Sequence, residues 1–524
     1  MAVKTASLPV PGAVLPDRSV ARLAAWLAPA LLALVARLAN GPLTVDDAFI
    51  TFRYADNLRL GHGLVYNPGE AVLGTTTPLY AALLALIPAP PGSLPSLAPW
   101  LNATLDAAAC VLLVWLGLRL SGQVWVGALA ATGYALAPMS IAFSAGGMET
   151  PLFVLLVLSS LGCWLAGRRG PALGCAALAT LTRPEGGLVA TLLLLDALRL
   201  RRHLPWRLAL LYAVLLAPWT LYAWLVYGSP LPHSMAAKAV TYQVDPGINL
   251  AALAFSAGLP GFSVLPLAEV AGSVVPWLVG CAVALIALYG FARQAGRLAL
   301  CRAPRAWPLL LFAPIYALAY SLAGLRGVRL FHWYLTPLVP FYLLYLAVGL
   351  AAVAARLRLE PPRLAAAAFA LVVVWDVAAL GLSRGWLERP FYPVGLDLTR
   401  EAVYGAIGAE LRSRLAPDDV VAAPEIGALG YASQARILDT VGLVSPGVSG
   451  YYPLPREQLV ADNAVPPQLI QDRQPRYVVA LDQFVRRSLL PSPWFRRHYD
   501  LVRREPARVW MSDAVLLFRR NDQP

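Results

Sequence analysis

The sequence predicts a polytopic all-α membrane protein of about eleven transmembrane helices, followed by a small C-terminal soluble α/β domain. Hydrophobic residues make up 58% of the chain against 14% charged, and the mean hydropathy is +0.61, a balance that excludes a soluble globular protein and makes lipid the main solvent. Apolar runs of spanning length recur up to about residue 384, and from about Trp386 the composition turns polar and mixed. The net charge of +13 does not indicate nucleic acid, because the arginines fall in short gaps between apolar runs rather than on one basic surface with interleaved aromatics.

The first run, from about Arg22 to Ala39, follows Lys4 and Arg18. It lacks a small-residue cleavage site, so it is expected to stay as the first span. Further runs lie near 98–120, 124–141, 150–167, 206–227, 272–292, 307–323, 331–353 and 364–384. The stretch 171–198 fits two short helices that meet at Thr182-Arg183-Pro184-Glu185-Gly186. The run 79–87 is too short to span and is followed by Pro88, Pro90, Pro91 and Pro95, so it is expected as an interfacial helix in the first outer loop. A cytoplasmic N-terminus puts Arg119, Arg168, Arg169, the Arg199–Arg202 cluster, Arg293 to Arg305 and Arg356 to Arg363 inside, as the positive-inside rule requires. The odd number of spans then leaves the C-terminus outside. Residues 1–385 are thus expected as the membrane catalytic domain and 386–524 as an extracytoplasmic α/β domain, in a bacterial plasma membrane. Short β-type runs at Val420 to Ala423, Tyr477 to Leu481 and Val515 to Phe518 support the second. The five cysteines lie in or beside apolar runs without metal-ligand spacing, so neither a disulfide framework nor a zinc site is implied.

The chemistry is expected in the first outer loop, which carries Asp46-Asp47-Ala48-Phe49-Ile50-Thr51-Phe52-Arg53-Tyr54 and then Gly61-His62-Gly63-Leu64-Val65-Tyr66-Asn67-Pro68-Gly69-Glu70. Two adjacent carboxylates at the end of a membrane helix are costly unless solvated, paired or bound to metal, which makes them a candidate site.

The string from Asp46 to Pro78, closing with Gly74-Thr75-Thr76-Thr77-Pro78, resembles the first-loop signature of GT-C membrane glycosyltransferases, and within them of the actinobacterial terminal arabinofuranosyltransferases. The resemblance continues through Gly146-Gly147-Met148-Glu149-Thr150-Pro151, Leu181 to Gly186, Tyr227 to Ser234 with Lys238, and Tyr334-Leu335-Thr336-Pro337. It departs at His233, where an Asn is expected, and in a C-terminal domain smaller than that family's carbohydrate-binding domain. It implies a GT-C fold, a polyprenyl-phosphate sugar donor, a glycan or lipid acceptor, and a catalytic aspartate that falls on Asp46.

The residues agree with that implication. Inverting glycosyl transfer needs a carboxylate to take the acceptor's proton and positive charge or a metal to stabilise the departing phosphate. Asp46 suits the base. Asp47 would orient it, bind a divalent cation or cap a helix, so metal dependence stays open. His233, Lys238, Arg183 and Arg329 are candidates for the phosphate, and Lys238 stands out because Lys4 is the only other lysine among 42 basic residues. Arg53, Tyr54, His62 and Glu149 are candidates for substrate contact, with packing, turn and helix-terminus roles as alternatives. Arg183 with Glu185 would otherwise close a helical hairpin as an ion pair. A transporter or flippase is the competing class, but the chain shows no inverted repeat.

Overall fold

The computed structural model describes residues 19–39, 41–201, 205–242, 244, 246–247, 274–301, 304–358, 360 and 398–521. The expected span at 364–384, the expected boundary at 385/386 and the N-terminal Lys4 and Arg18 lie outside them. The described membrane part runs α1 (Ser19–Leu38), α2 (Asp46–Arg59), α3 (Pro78–Ala85), α4 (Leu94–Ser121), α5 (Val124–Leu136), α6 (Pro138–Ala145), α7 (Thr150–Leu165), α8 (Arg169–Thr182), α9 (Gly186–Arg201), α10 (Trp206–Tyr227) and α11 (His233–Thr241). Helices Val274–Cys301, Trp307–Leu325, His332–Leu335 and Val339–Arg356 follow.

Four of the described helices are long and apolar enough to cross a membrane: α4, α10, Trp307–Leu325 and His332–Arg356, and the bent pair α5 and α6 makes a fifth. The two short helices expected around Pro184 are α8 and α9, and the short run after Pro78 is the eight-residue α3. Along α10 only Ala223 is buried, while Leu210, Val214, Leu221, Trp224 and Leu225 are exposed, the surface expected of a helix that faces lipid. Small residues let other helices approach closely. A Cβ added to Gly290 would lie 2.0 Å from the carbonyl oxygen of Tyr345, on the helix opposite.

The break between α5 and α6, bent by 56°, shows how the membrane part handles an interrupted backbone. Pro138 has no N–H for the Tyr134 carbonyl, and the bend strands the Ala135 carbonyl as well. Arg37 of α1 reaches across to both, at 3.3 Å and 2.5 Å. Its Nε also donates to Asp106 Oδ2 at 2.6 Å, an Nη donates to Ser140 Oγ at 2.6 Å, and the Tyr134 hydroxyl donates to Asp106 Oδ1 at 2.6 Å. This pair, fully enclosed, ties α1, α4, α5 and α6 together, so α6 delivers Gly146 to Glu149 at a fixed angle.

The C-terminal domain is a five-stranded sheet in the order β2-β1-β3-β5-β4, formed by β1 (Val420–Ala423), β2 (Arg436–Asp439), β3 (Tyr477–Leu481), β4 (Tyr499–Val509) and β5 (Ser512–Arg520). The first three are parallel, and β5 runs antiparallel to β3 and β4. Helix Thr399–Arg412 covers the sheet, and its Tyr404 hydroxyl accepts from the Leu481 N–H at 2.9 Å.

This domain shares a hydrophobic core with the first loop. Ile50, Tyr54, Leu64 and Tyr66 cluster with Tyr404, Ile426, Leu429 and Val444. Two glycines let helix Gly427–Ser433 lie directly on the loop, since a Cβ at Gly427 would fall 1.9 Å from the Asp46 carbonyl oxygen and one at Gly430 would fall 1.9 Å from the Tyr66 hydroxyl.

Candidate functional site

The two adjacent aspartates part ways. Asp46 opens α2 and is 6% exposed, with its side chain turned toward the C-terminal domain. Oδ1 accepts from the Ala428 N–H at 2.9 Å and Oδ2 from the Gly427 N–H at 3.1 Å, while the Asp46 N–H donates to Glu401 Oε1 at 3.1 Å. Burial pushes this carboxyl up to about 6, against the pull of Arg400. Successive residues point about 100° apart around a helix, so Asp47 looks elsewhere, into a cavity of about 340 Å³.

Three groups of residues build that cavity. Asp47, Thr51 and the Gly74 to Thr77 turn form the wall from the first loop. Opposite stands α11, whose Ser234, Met235, Lys238 and Ala239 line it, with Lys238 Nζ 3.9 Å from Asp47 Oδ2. Burial pulls the Lys238 ammonium down, but Tyr334 and Asp47 outweigh it and leave the group raised and charged. The third side carries Glu149, Arg183, Glu185, Tyr320 and the aromatics Phe331, Trp333 and Tyr334. Arg183 holds Glu185 at 2.9 Å and Glu149 at 3.5 Å and donates to the Trp333 carbonyl at 3.2 Å. Its guanidinium also lies over the rings of Phe153 and Tyr334, each 5.4 Å away, and the Tyr320 hydroxyl donates to Glu185. Phe331 and Trp333 stack with centroids 4.5 Å apart and planes 13° from parallel.

The remaining sequence candidates divide. Arg329 lines the cavity, pairs with Asp462 of the C-terminal domain and lies over the ring of Phe331 at 5.0 Å. His233 begins α11 and donates its backbone N–H to the Leu73 carbonyl at 2.8 Å, one residue short of the cavity wall. Arg53 lies in the joint between the domains, donating to the carbonyls of Tyr66, Gly430 and Ala435 at 2.8, 2.7 and 2.6 Å. Tyr54 donates to the Val72 carbonyl at 2.7 Å and accepts from the Gly74 N–H at 2.8 Å. His62 is exposed in a turn whose flanking glycines have φ of 84° and 86°. These three are not among the cavity-lining residues.

Sequence reasoning missed Tyr320, Phe331 and Trp333 as cavity residues, and of the string Asp439-Thr440-Val441-Gly442-Leu443, which the sequence left open between acceptor binding and packing, Leu443 lines the cavity. The first three sit inside or beside apolar runs, where an aromatic reads as an ordinary lipid-facing or belt residue. The donor set of the described residues does not suit a metal ion. Among the described residues no group of three His, Cys, Asp or Glu side chains could hold one, and the nearest charged partners of Asp47 and Glu149 are Lys238 and Arg183.

Comparison with known proteins supports the fold. Residues 396–519 match a family described as a domain of unknown function, DUF8728. No curated protein matches. Among solved structures, ArnT from Cupriavidus metallidurans bound to undecaprenyl phosphate superposes with a TM-score of 0.50 at 16% identity, over 95% of this chain and 98% of that one. The oligosaccharyltransferase of Archaeoglobus fulgidus, solved with zinc and sulfate, superposes with a TM-score of 0.53 at 12% identity, over 94% and 72%. The fold is of GT-C type. It is a helical membrane part carrying a small C-terminal sheet domain.

Proposed function

We propose that this protein is an inverting glycosyltransferase that moves a sugar from a polyprenyl-phosphate donor to a hydroxyl of a cell-envelope glycan or lipid, on the extracytoplasmic face. The observation that carries the reading is the Asp47–Lys238 couple in a cavity walled by aromatics and hydroxyls. As the acceptor oxygen attacks the anomeric carbon, Asp47 takes its proton. The bond from that carbon to the phosphate oxygen breaks, and Lys238 meets the charge that develops on the departing polyprenyl phosphate.

The base is Asp47 in this reading because both oxygens of Asp46 are already held by backbone N–H groups of the C-terminal domain. Arg329 adds positive potential beside Lys238, and Glu149, Arg183 and Glu185 offer partners for sugar hydroxyls. The stacked Phe331 and Trp333 supply an apolar wall for a sugar face. Support for the lipid carrier comes from the ArnT structure, whose bound ligand is undecaprenyl phosphate. The first-loop resemblance favours arabinofuranose as the sugar. No step requires a metal, so transfer is expected to survive a chelator.

Transfer of radiolabelled sugar from polyprenyl phosphate to a glycan acceptor in reconstituted vesicles tests the proposal. A protein that binds the donor and moves it across the bilayer without cleaving it is a transporter, and that result refutes the enzyme reading.

A further inference from the structure

Four threonines line the cavity on the first-loop side, Thr51, Thr75, Thr76 and Thr77, and the transfer step gives them no part. Three of them form one buried chain of hydroxyls. Thr75 Oγ1 lies 3.1 Å from Thr77 Oγ1, which lies 3.4 Å from Thr51 Oγ1, and Thr75 Oγ1 also accepts from the Thr77 N–H at 3.1 Å. The turn that brings them together is clamped. The Tyr54 hydroxyl, about one turn beyond Thr51 on α2, donates to the Val72 carbonyl and accepts from the Gly74 N–H, and Gly74 has no room for a side chain against Val444 and the Leu443 carbonyl. Tyr54 thus serves the cavity without lining it, by holding Thr75 and Thr77 against Thr51.

These hydroxyls are not spent on the helix they adjoin. Thr77 immediately precedes α3, a position where threonine ordinarily accepts from helix N–H groups, yet its side chain makes no such bond. Each contact between two hydroxyls uses one proton, so two contacts among three hydroxyls leave one O–H without a partner among the described residues. Buried hydroxyls are rarely left so. Both contacts also exceed the ordinary O–H···O range, which ends at about 3.0 Å, so the chain can open to admit another oxygen. Thr51 stands four residues after Asp47 on α2 and therefore on the same face, and a carboxylate beside it repels an anionic oxygen. The group that fits is an uncharged hydroxyl, which both accepts and donates.

We propose that Thr51, Thr75 and Thr77 form a hydroxyl-binding subsite, which holds one sugar hydroxyl beside Asp47 and makes transfer depend on it; this rests on the glycosyltransferase reading above. The hydroxyl belongs to the transferred sugar or to the acceptor's terminal sugar, and its recognition is the same chemistry in both. Deleting it strands the spare O–H in a buried wall, which is how a hydrogen-bonding site rejects a deoxy analogue more sharply than an apolar wall does.

The test uses the full-length protein in vesicles, with polyprenyl-phosphate arabinofuranose as donor, an arabinan oligosaccharide as acceptor, and analogues of each that lack one hydroxyl at a time. Thr51→Val and Thr77→Val keep the side chain's shape and are expected to lower kcat/KM for the intact pair by about 3- to 10-fold, the worth of a hydrogen bond between uncharged groups. One deoxy analogue is expected to cost the wild type about tenfold or more and to cost the two valine variants little further. Whether that analogue is a donor or an acceptor names the source of the hydroxyl. Thr77→Ser, which keeps the hydroxyl, is expected to match the wild type. The ratio of intact to deoxy rates on one preparation does not depend on how much of it is folded, so a loss of stability cannot imitate the effect. Valine variants with unchanged kcat/KM, a Thr77→Ser protein as impaired as Thr77→Val, or deoxy penalties that are the same in wild type and variants for every analogue overturn the subsite. A wild-type protein that transfers no sugar overturns the underlying enzyme reading first and this inference with it.

Discussion

The joint between the domains and the cavity beside it are made from the same residue types, often neighbours in sequence, yet they are wired differently. In the joint, the charges of Asp46 and Arg53 end on backbone. Asp46 caps two N–H groups, Arg53 spreads over three carbonyls, and Asn67 exchanges hydrogen bonds with both the N–H and the carbonyl of Ile437 at 3.1 and 2.9 Å. In the cavity, charges end on other charges and keep one side open, as with Asp47 and Lys238 at 3.9 Å or Glu149 and Arg183 at 3.5 Å. Backbone cannot move without unfolding something, whereas a side-chain ion pair can exchange its partner for a ligand. A buried charge therefore points to structure when backbone satisfies it and to chemistry when it is paired loosely across a space.

The largest effect that would break this comparison lies within the pair. Asp47→Asn is expected to lower transfer by about 10²- to 10⁴-fold, the usual worth of a general base, with melting temperature unchanged. Asp46→Asn is expected to do the reverse. It weakens bonds to two backbone amides, costing stability of about 1–3 kcal/mol, and leaves turnover per folded molecule near normal. Activity assays paired with thermal unfolding decide it, and a dead, stable Asp46→Asn protein would return the base to Asp46.

Next in size is Gly427→Ala. The added methyl would sit 1.9 Å from the Asp46 carbonyl oxygen, so the helix must lift off the loop, and overpacking of this kind costs about 1–3 kcal/mol or more. Limited proteolysis should then cut between the domains sooner, and activity should fall together with docking. Lys238→Ala is expected to raise the donor KM by about 10- to 100-fold, the loss of one charge-assisted contact, without moving the acceptor KM. An unchanged donor KM removes Lys238 from the phosphate site.

The legible parts of the fold were those with a long period. Hydropathy marked the apolar helices, and Val420 to Ala423 and Tyr477 to Leu481 were recognisable as strands because buried central strands are continuous apolar runs. β4 escaped, since Tyr499–Val509 carries three arginines and a proline that suit an exposed edge, and β2 is only four residues long. The first loop stood out as a whole, but its internal division did not. Sequence spacing puts Asp46 and Asp47 at one helix start; which of them meets backbone depends on where Gly427 and Ala428 arrive from some 380 residues away. The string Asp439 to Leu443 was readable as an element for acceptor binding or for packing, but that Leu443 is its side chain at the cavity depends on the Asp439 turn that sets its loop against Gly74.

The smallest effect concerns pH and sharpens the picture of the joint. Three carboxylates, Asp46, Glu401 and Glu425, gather near the guanidinium of Arg400, which holds Glu401 at 2.5 Å and Glu425 at 2.7 Å. Burial raises Asp46 from 3.8 to about 6 and Glu425 from 4.5 to about 7, in each case against the pull of Arg400. The unfolded chain releases these protons near pH 4, whereas the folded joint keeps them until pH 6 to 7. Across that window the native state binds more protons than the unfolded one, so stability falls as pH rises. Above it the joint carries more negative charge than Arg400 neutralises. Melting temperature is therefore expected to decline from about pH 5 to about pH 7.5, and Glu425→Gln, neutral throughout, should flatten the decline. A melting temperature that rises over this range, or a Glu425→Gln profile parallel to the wild type, would mean that the joint holds its carboxylates ionised and that Arg400 alone suffices to balance them.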